Sequence, residues 1–169
     1  TDRLMTTAFY TAYLKISEGC SNRCAFCIIP KMRGPMRSRS PESILAETEN
    51  LAQRGVKELN IISQDTTMYG FDLTMKDGLI RLLREMSNVK GVEWIRLLYC
   101  YPTFINSDLI DYIASEEKLC RYIDVPLQHT HDEILKSMKR QETEGDVRRM
   151  LDELRLKLPG IALRTTFIT

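Results

Sequence analysis

Apolar residues in this chain fall into five short runs separated by longer stretches with helical spacing. The runs are Ala12 to Ile16, Leu59 to Ser63, Trp94 to Tyr99, Tyr122 to Val125, and Ile161 to Ile168. Most are rich in β-branched or aromatic residues, so each is predicted to be a strand. The stretches between them carry helix punctuation. Ser40 is suited to the N-cap, Pro41 to the first helical position and Gly55 to a left-handed stop, and Ile44, Leu45, Thr48, Leu51 and Ala52 share one face. A second helix is predicted through Leu79, Ile80, Leu82, Leu83 and Met86. A third starts near Asn106 or Ser107 and carries Leu109, Ile110, Ile113 and Ala114. A fourth, short one runs from about His131 to Met138. A fifth opens on the capping-box pair Thr143 and Asp146, carries Val147, Met150, Leu151 and Leu154, and stops before Pro159-Gly160.

Regular strand–helix alternation predicts parallel strands joined by right-handed crossovers. The expected fold class is therefore α/β, a partial (β/α) barrel, with functional groups on the loops that follow the strands. One domain is expected over 1–169, with no internal repeat or linker. The last apolar run reaches Thr169, and a strand with an unpaired edge is a liability. The chain is accordingly read as truncated at its C-terminal end.

Composition narrows the class. The 169 residues are 43% hydrophobic and 28% charged, with a formal net charge of +1, which fits a globular core and gives no general attraction to nucleic acid or membrane. No apolar run approaches the roughly 18 residues of a membrane span. Thr1 to Thr7 lack the apolar segment of a signal peptide. Five cysteines are present, an odd count, with three in eight residues. That distribution suits a metal site in a reducing compartment better than a disulfide framework, so a cytoplasmic location is expected.

The three are Cys20, Cys24 and Cys27, spaced C-x3-C-x2-C in the loop after the first predicted strand. Three thiolates on one tight loop can hold three corners of a 4Fe–4S cube and leave the fourth iron open to a small molecule. Gly19 permits a sharp turn into the loop, and Phe26 places an apolar ring beside the third ligand, where it would shield a cluster from water. A structural zinc site would want a fourth ligand, a ferredoxin-type carrier a fourth cysteine and other spacing. Cys100 and Cys120 read as core residues, because free cysteine packs as a small hydrophobe.

Several motifs then resemble one family. C-x3-C-x2-C with an aromatic before the last cysteine is similar to the radical S-adenosylmethionine superfamily. Ala12 to Cys20, Cys27-Ile28-Ile29-Pro30, Met32-Arg33-Gly34 and Ser38-Arg39 resemble its methylthiotransferases. Ile62-Ser63-Gln64-Asp65-Thr66, Tyr69-Gly70, Tyr101-Pro102-Thr103 and Pro126-Leu127-Gln128-His129 resemble the RimO branch, whose members methylthiolate an aspartate of ribosomal protein S-twelve. Transfer-RNA adenosine methylthiotransferases usually have Gly-Gln-Asn at Ser63-Gln64-Asp65, and remain the alternative within the family. A non-catalytic iron–sulfur electron-transfer or metal-stabilised module is the alternative of another class.

The resemblance implies a 4Fe–4S cluster on Cys20, Cys24 and Cys27, with S-adenosyl-L-methionine on its open iron. It implies reductive cleavage of that cofactor to a 5′-deoxyadenosyl radical. A low-potential electron donor and ribosomal protein S-twelve would be partners, with no membrane and no direct nucleic-acid contact from this fragment. It also implies a second, auxiliary 4Fe–4S cluster in the full-length enzyme. No second cysteine triad occurs here, so the chain is read as a radical domain without the N-terminal auxiliary-cluster domain and the C-terminal TRAM domain. Implied cofactor contacts are Phe26, Gln64, Asp65, Gln128 and Phe167, with Ile168 as a further apolar wall. The competing readings are an Asx-turn for Gln64-Asp65 and plain core for Phe167 and Ile168. Gln128 and His129 form a polar pair that could contact the ribose or the substrate, the competing reading of His129 being a satisfied structural residue, and His131 reads as an exposed helix start. Arg96, in an apolar strand, must be paired, with the cofactor's carboxylate or with an acidic residue such as Asp124. Lys31, Arg33, Arg37 and Arg39 form a basic run, read as a solvated loop or a docking surface.

Overall fold

The computed structural model describes residues 4–169. Residues 1–3, the head of the segment read as no signal peptide, lie outside the described residues. The elements in chain order are β1 (Thr11–Lys15), β2 (Ser17–Glu18), α1 (Ile29–Arg33), β3 (Arg37–Ser38), α2 (Pro41–Gln53), β4 (Glu58–Ile62) and α3 (Gly78–Ser87). After them come β5 (Trp94–Leu97), a short 3-10 turn (Pro102–Phe104), α4 (Ser107–Ser115), β6 (Leu119–Asp124), α5 (Asp132–Ser137), α6 (Glu144–Lys157) and β7 (Ala162–Arg164).

Five strands form one parallel sheet in the order β1-β4-β5-β6-β7. Each new strand is added beside the last, and β1 does not meet β7, so the sheet is an open partial barrel. Strand burial alternates. Ala12, Leu14, Leu59, Ile61, Ile95 and Leu97 are buried on one face, and they join Ile44, Leu51, Leu82, Leu83, Ile110 and Leu154 of the helices in a single core. Tyr13, Asn60, Trp94 and Arg96 alternate with them and point to the uncovered face. A parallel sheet covered on both faces would read as continuous apolar runs. The alternation records that only one face is covered. Burying a Leu or Ile in such a core contributes about 1.5–3 kcal/mol, and truncating one to Ala costs about 2–5 kcal/mol.

The caps form where the residue types predict them. The Ser40 hydroxyl accepts from the Ser43 amide at 3.3 Å, Asn106 accepts from Leu109, and Thr143 and Asp146 make the reciprocal capping box. Gly55 takes φ +91° just beyond α2.

Four expectations change. The segment after the cysteines is not plain loop: it holds α1, and β3 pairs antiparallel with β2. Lys31 and Arg33 lie on α1 and Arg37 on β3, while Arg39 donates to the Lys15 carbonyl at 2.8 Å and to Glu47 at 2.7 Å. Arg39 is thus a partly exposed clamp between β1 and α2. Arg96 is paired with an acidic residue, as expected, but that residue is Glu58 rather than Asp124. Its Nε donates to Glu58 at 2.9 Å and its guanidinium lies 5.0 Å from the Tyr122 ring centroid, because Glu58 lies one strand over on the same face. Asp124 meets Arg164 instead, at 3.4 Å. Cys120 is only half-buried, beside Glu58 and Arg96 on the uncovered face, whereas Cys100 is buried in the core. The predicted last strand is shorter: β7 ends at Arg164, and only an isolated bridge between Gln128 and Phe167 extends it.

Candidate cofactor site

The loops after β1, β4, β5 and β6 converge at the C-terminal edge of the sheet. They enclose a cavity of about 180 Å³ lined by Cys20, Cys24, Cys27, Phe26, Gln64 and Gln128, with Tyr99, Cys100 and Tyr101 from the β5 loop and Arg140 beyond α5. A larger cavity of about 490 Å³, around Tyr69, Phe71 and Phe104, contains none of the cysteines.

The cysteine loop is built to close packing. Gly19 has φ +80°, and a Cβ there would stand 2.3 Å from the Pro35 carbonyl oxygen. Only glycine fits this approach. The two chain segments then run together: the Cys20 amide donates to the Gly34 carbonyl at 3.2 Å and the Met36 amide to the Ser21 hydroxyl at 3.2 Å. At the far end of the loop the Ala25 amide donates to the Met138 carbonyl at 2.9 Å, and the Cys27 amide turns back onto Cys24 at 3.1 Å. Cys20 is buried, while Cys24 and Cys27 are partly exposed. Burial pushes the Cys20 thiol above its ordinary range, and a hydrogen bond from the Asn22 main chain opposes the shift. Burial likewise pushes Cys100 up strongly, which keeps it an inert thiol.

Among the described residues no three His, Cys, Asp or Glu side chains converge as one bound ion would require. The three cysteines line a cavity instead. A cube offers three separate iron corners to three thiolates, so this spacing suits a cluster. The donor set also lacks one partner: Gln64 Oε1 is buried without a hydrogen bond, and Gln64 lines the same cavity. A buried acceptor left unpaired costs about 1–3 kcal/mol, and a donor bound in the cavity would relieve it. Three thiols and an acceptor around an apolar pocket fit a cluster carrying an amine-bearing ligand.

The other sequence-derived residues divide. Phe26 lines the cavity with half its surface exposed. Gln128 also lines it, with φ +68°, and its main chain bonds Thr166 and Ile168. Phe167 bridges to Gln128 but is 50% exposed and does not line the cavity. Asp65 does not line it either. Its Oδ1 accepts from the Thr67 amide at 3.1 Å, the Thr67 hydroxyl at 2.6 Å and the Met68 amide at 3.3 Å, which is the Asx-turn geometry. His129 Nδ1 accepts from the His131 amide at 2.9 Å, a local structural bond.

Sequence reasoning missed Arg140 and Glu142. Both side chains are buried, Arg140 Nε donates to Glu142 at 2.5 Å, and Nη2 donates to the Pro126 carbonyl at 2.9 Å. The guanidinium lies over the Tyr101 ring, 4.2 Å from its centroid. This cation ties the β5 and β6 loops together at the wall of the cysteine cavity. A charge-bearing Arg-x-Glu in a predicted loop was the only available signal.

The model of the Radical SAM superfamily matches residues 14–169. The chain belongs to that superfamily. Membership implies a 4Fe–4S cluster and S-adenosylmethionine as cofactors, and the matched region includes the three cysteines at the end of β1. Curated relatives include "Ribosomal protein uS12 methylthiotransferase RimO" of Clostridium kluyveri, 55% identical over 98% of this chain and 37% of the relative. The protein of the same name from Elusimicrobium minutum is 49% identical over 98% of the chain and 39% of that relative. The chain thus spans little more than a third of the length of these relatives. Among solved structures, the radical S-adenosylmethionine methyltransferase TsrM of Kitasatospora setae has TM-score 0.72 at 20% identity, covering 93% of this chain and 30% of that one. The cobalamin-dependent enzyme OxsB has TM-score 0.71 at 17% identity, covering 92% and 23%. At such identities these two speak for the radical SAM fold alone. No helix among the described residues is long and apolar enough to cross a membrane.

Proposed function

We propose that this chain is the radical-generating domain of a methylthiotransferase that acts on an aspartate of ribosomal protein uS12. Identity near half over almost the whole chain with enzymes of that name supports the reading. The observation that carries it is the cavity itself, with Cys20, Cys24 and Cys27 beside the unpartnered Gln64 acceptor. Cys20, Cys24 and Cys27 would hold a 4Fe–4S cluster, and with S-adenosylmethionine bound the pair supplies a 5′-deoxyadenosyl radical able to take hydrogen from an unactivated carbon. The protein's part is to orient and exclude water. Gln64 would offer its unpaired Oε1 to the cofactor's amino group, and Phe26 would shield the cluster from water. Gln128 lines the side where β6 and β7 end, and there the adenosine or the target side chain would pack, with Phe167 bridged to Gln128 beside it. Arg140 fixes the wall opposite.

The partners are then uS12 as substrate and a low-potential electron donor, and the location is the cytoplasm. A second cluster would serve as the route for sulfur in the full-length enzyme. The test is mass spectrometry on cells that express the full-length protein carrying this domain. A methylthio group on a uS12 aspartate that disappears with Cys24→Ala supports the proposal. Methylthioadenosine in transfer RNA with unmodified uS12 would replace it with the transfer-RNA reading.

A further inference from the structure

The cysteine loop is fastened to the neighbouring strand at one point. Asn22 sits between Cys20 and Cys24, and its side-chain Nδ2 donates to Asp65 Oδ2 at 2.7 Å. Both residues are buried, at 7% and 2% exposure, although 43 positions separate them. The other carboxylate oxygen of Asp65 holds the turn after β4 through the Thr67 amide and hydroxyl and the Met68 amide. The Thr67 hydroxyl in turn accepts from the Tyr101 amide at 3.0 Å, which brings in the β5 loop. The Asp65 amide donates to the Ser63 hydroxyl at 3.3 Å, and that hydroxyl is hydrogen-bonded to Ser17 of β2.

We propose that Asp65 is a positioning residue for the cysteine loop, acting through Asn22 to fix Cys20 and Cys24 relative to the cavity. Both carboxylate oxygens are committed within the protein, so Asp65 has no free face for a cofactor. Its neighbour Gln64 lines the cavity and has a buried, unpaired Oε1, while Asp65 grips the loop. The turn after β4 thereby divides two tasks between adjacent residues. A buried, fully bonded carboxylate holds its partner far more rigidly than an exposed one, since the alternative is an unpaired polar group out of water. The Asn22 main chain faces the Cys20 sulfur, so movement of Asn22 is felt directly at a ligand.

The inference rests on the reading that the three cysteines hold an iron–sulfur cluster. The experiment is anaerobic reconstitution of the chain, followed by iron release to a chelator, with the melting temperature of the apoprotein measured in parallel. Asn22→Ala leaves the β4 turn untouched. It is expected to lower the apoprotein melting temperature, because Asp65 Oδ2 loses its buried donor, and to release iron several-fold faster both than wild type and than Ser40→Ala, whose loss of stability lies away from the loop. Asp65→Ala should release iron at least as fast, and the double variant no faster than Asp65→Ala, because two partners in one contact are not additive. Asp65→Asn keeps one oxygen for the turn and supplies an amide that a flipped Asn22 can accept, so it should approach wild type. Iron release from Asn22→Ala at the wild-type rate would overturn the proposal, as would additive single variants or Asp65→Asn as poor as Asp65→Ala. Those results leave the cluster reading intact. A wild-type chain that takes up no cluster overturns both.

Discussion

Arg140→Met is the most informative single change in the wall of the cavity. It removes the cation from a pair whose side chains are 4% and 1% exposed and leaves Glu142 as a buried, unpaired carboxylate. Breaking a buried pair from one side costs about 3–5 kcal/mol, most of it the stranded charge. The ring contact with Tyr101 and the bond to the Pro126 carbonyl are lost together with it. For a domain of this length each kcal/mol moves the melting temperature by about 2–4 °C. A loss of about 4 kcal/mol therefore corresponds to roughly 12 °C. The assay is thermal unfolding followed by circular dichroism, on Arg140→Met and on Arg140→Met with Glu142→Gln. The second change replaces the stranded charge with a neutral amide that still accepts from Thr103, so it should recover about half of the loss or more. A single variant within about 1 kcal/mol of wild type, or a double variant less stable than the single, would refute the account of this wall.

Three further outcomes follow from local geometry. Gly19→Ala should sharply reduce iron uptake on reconstitution, because its Cβ would meet the Pro35 carbonyl and the backbone at φ +80° is strained for alanine; uptake at the wild-type level would count against the close packing. Ser40→Ala should lower stability in urea by about 1 kcal/mol through loss of the α2 cap, with the m-value unchanged. Tyr69 is buried and its hydroxyl donates to the Arg39 carbonyl at 2.8 Å, and burial pushes its pKa up to about 12. The folded state then keeps a proton that the unfolded state loses above about pH 10, so the stability this tyrosine contributes falls as pH rises from about 10 to 12. The stability advantage of wild type over Tyr69→Phe, measured by denaturant titration, should shrink across that window, and a constant advantage would contradict the burial argument.

The parallel sheet was legible because its strands alternate and its helices carry their caps in sequence: Ser40, Asn106 and Thr143 each mark a start the structure reproduces. α1 buries no side chain and β2 and β3 have two residues each, so no apolar face marks them in the sequence. The cysteine triad was legible because its ligands are local. Partners set by register or by loop convergence were not. Arg96 meets Glu58 across β4 and β5, and the pairing could be known only once the register was fixed. Arg140 meets Tyr101 and Pro126 from far along the chain, and nothing near it in sequence shows that it is buried. Gln64 and Asp65 were read together as one polar turn. The structure separates them: Gln64 lines the cavity, while Asp65 accepts from Asn22 and Thr67.

The central claim is that Cys20, Cys24 and Cys27 hold a cluster whose open iron takes S-adenosylmethionine. Electron spin resonance of the anaerobically reconstituted, reduced chain, with and without S-adenosylmethionine, tests it most directly alongside iron counting. The account predicts roughly four irons per chain, a reduced-cluster signal that changes when S-adenosylmethionine is added, and formation of 5′-deoxyadenosine. A chain that binds no iron, or a cluster signal indifferent to S-adenosylmethionine with no 5′-deoxyadenosine formed, would contradict it.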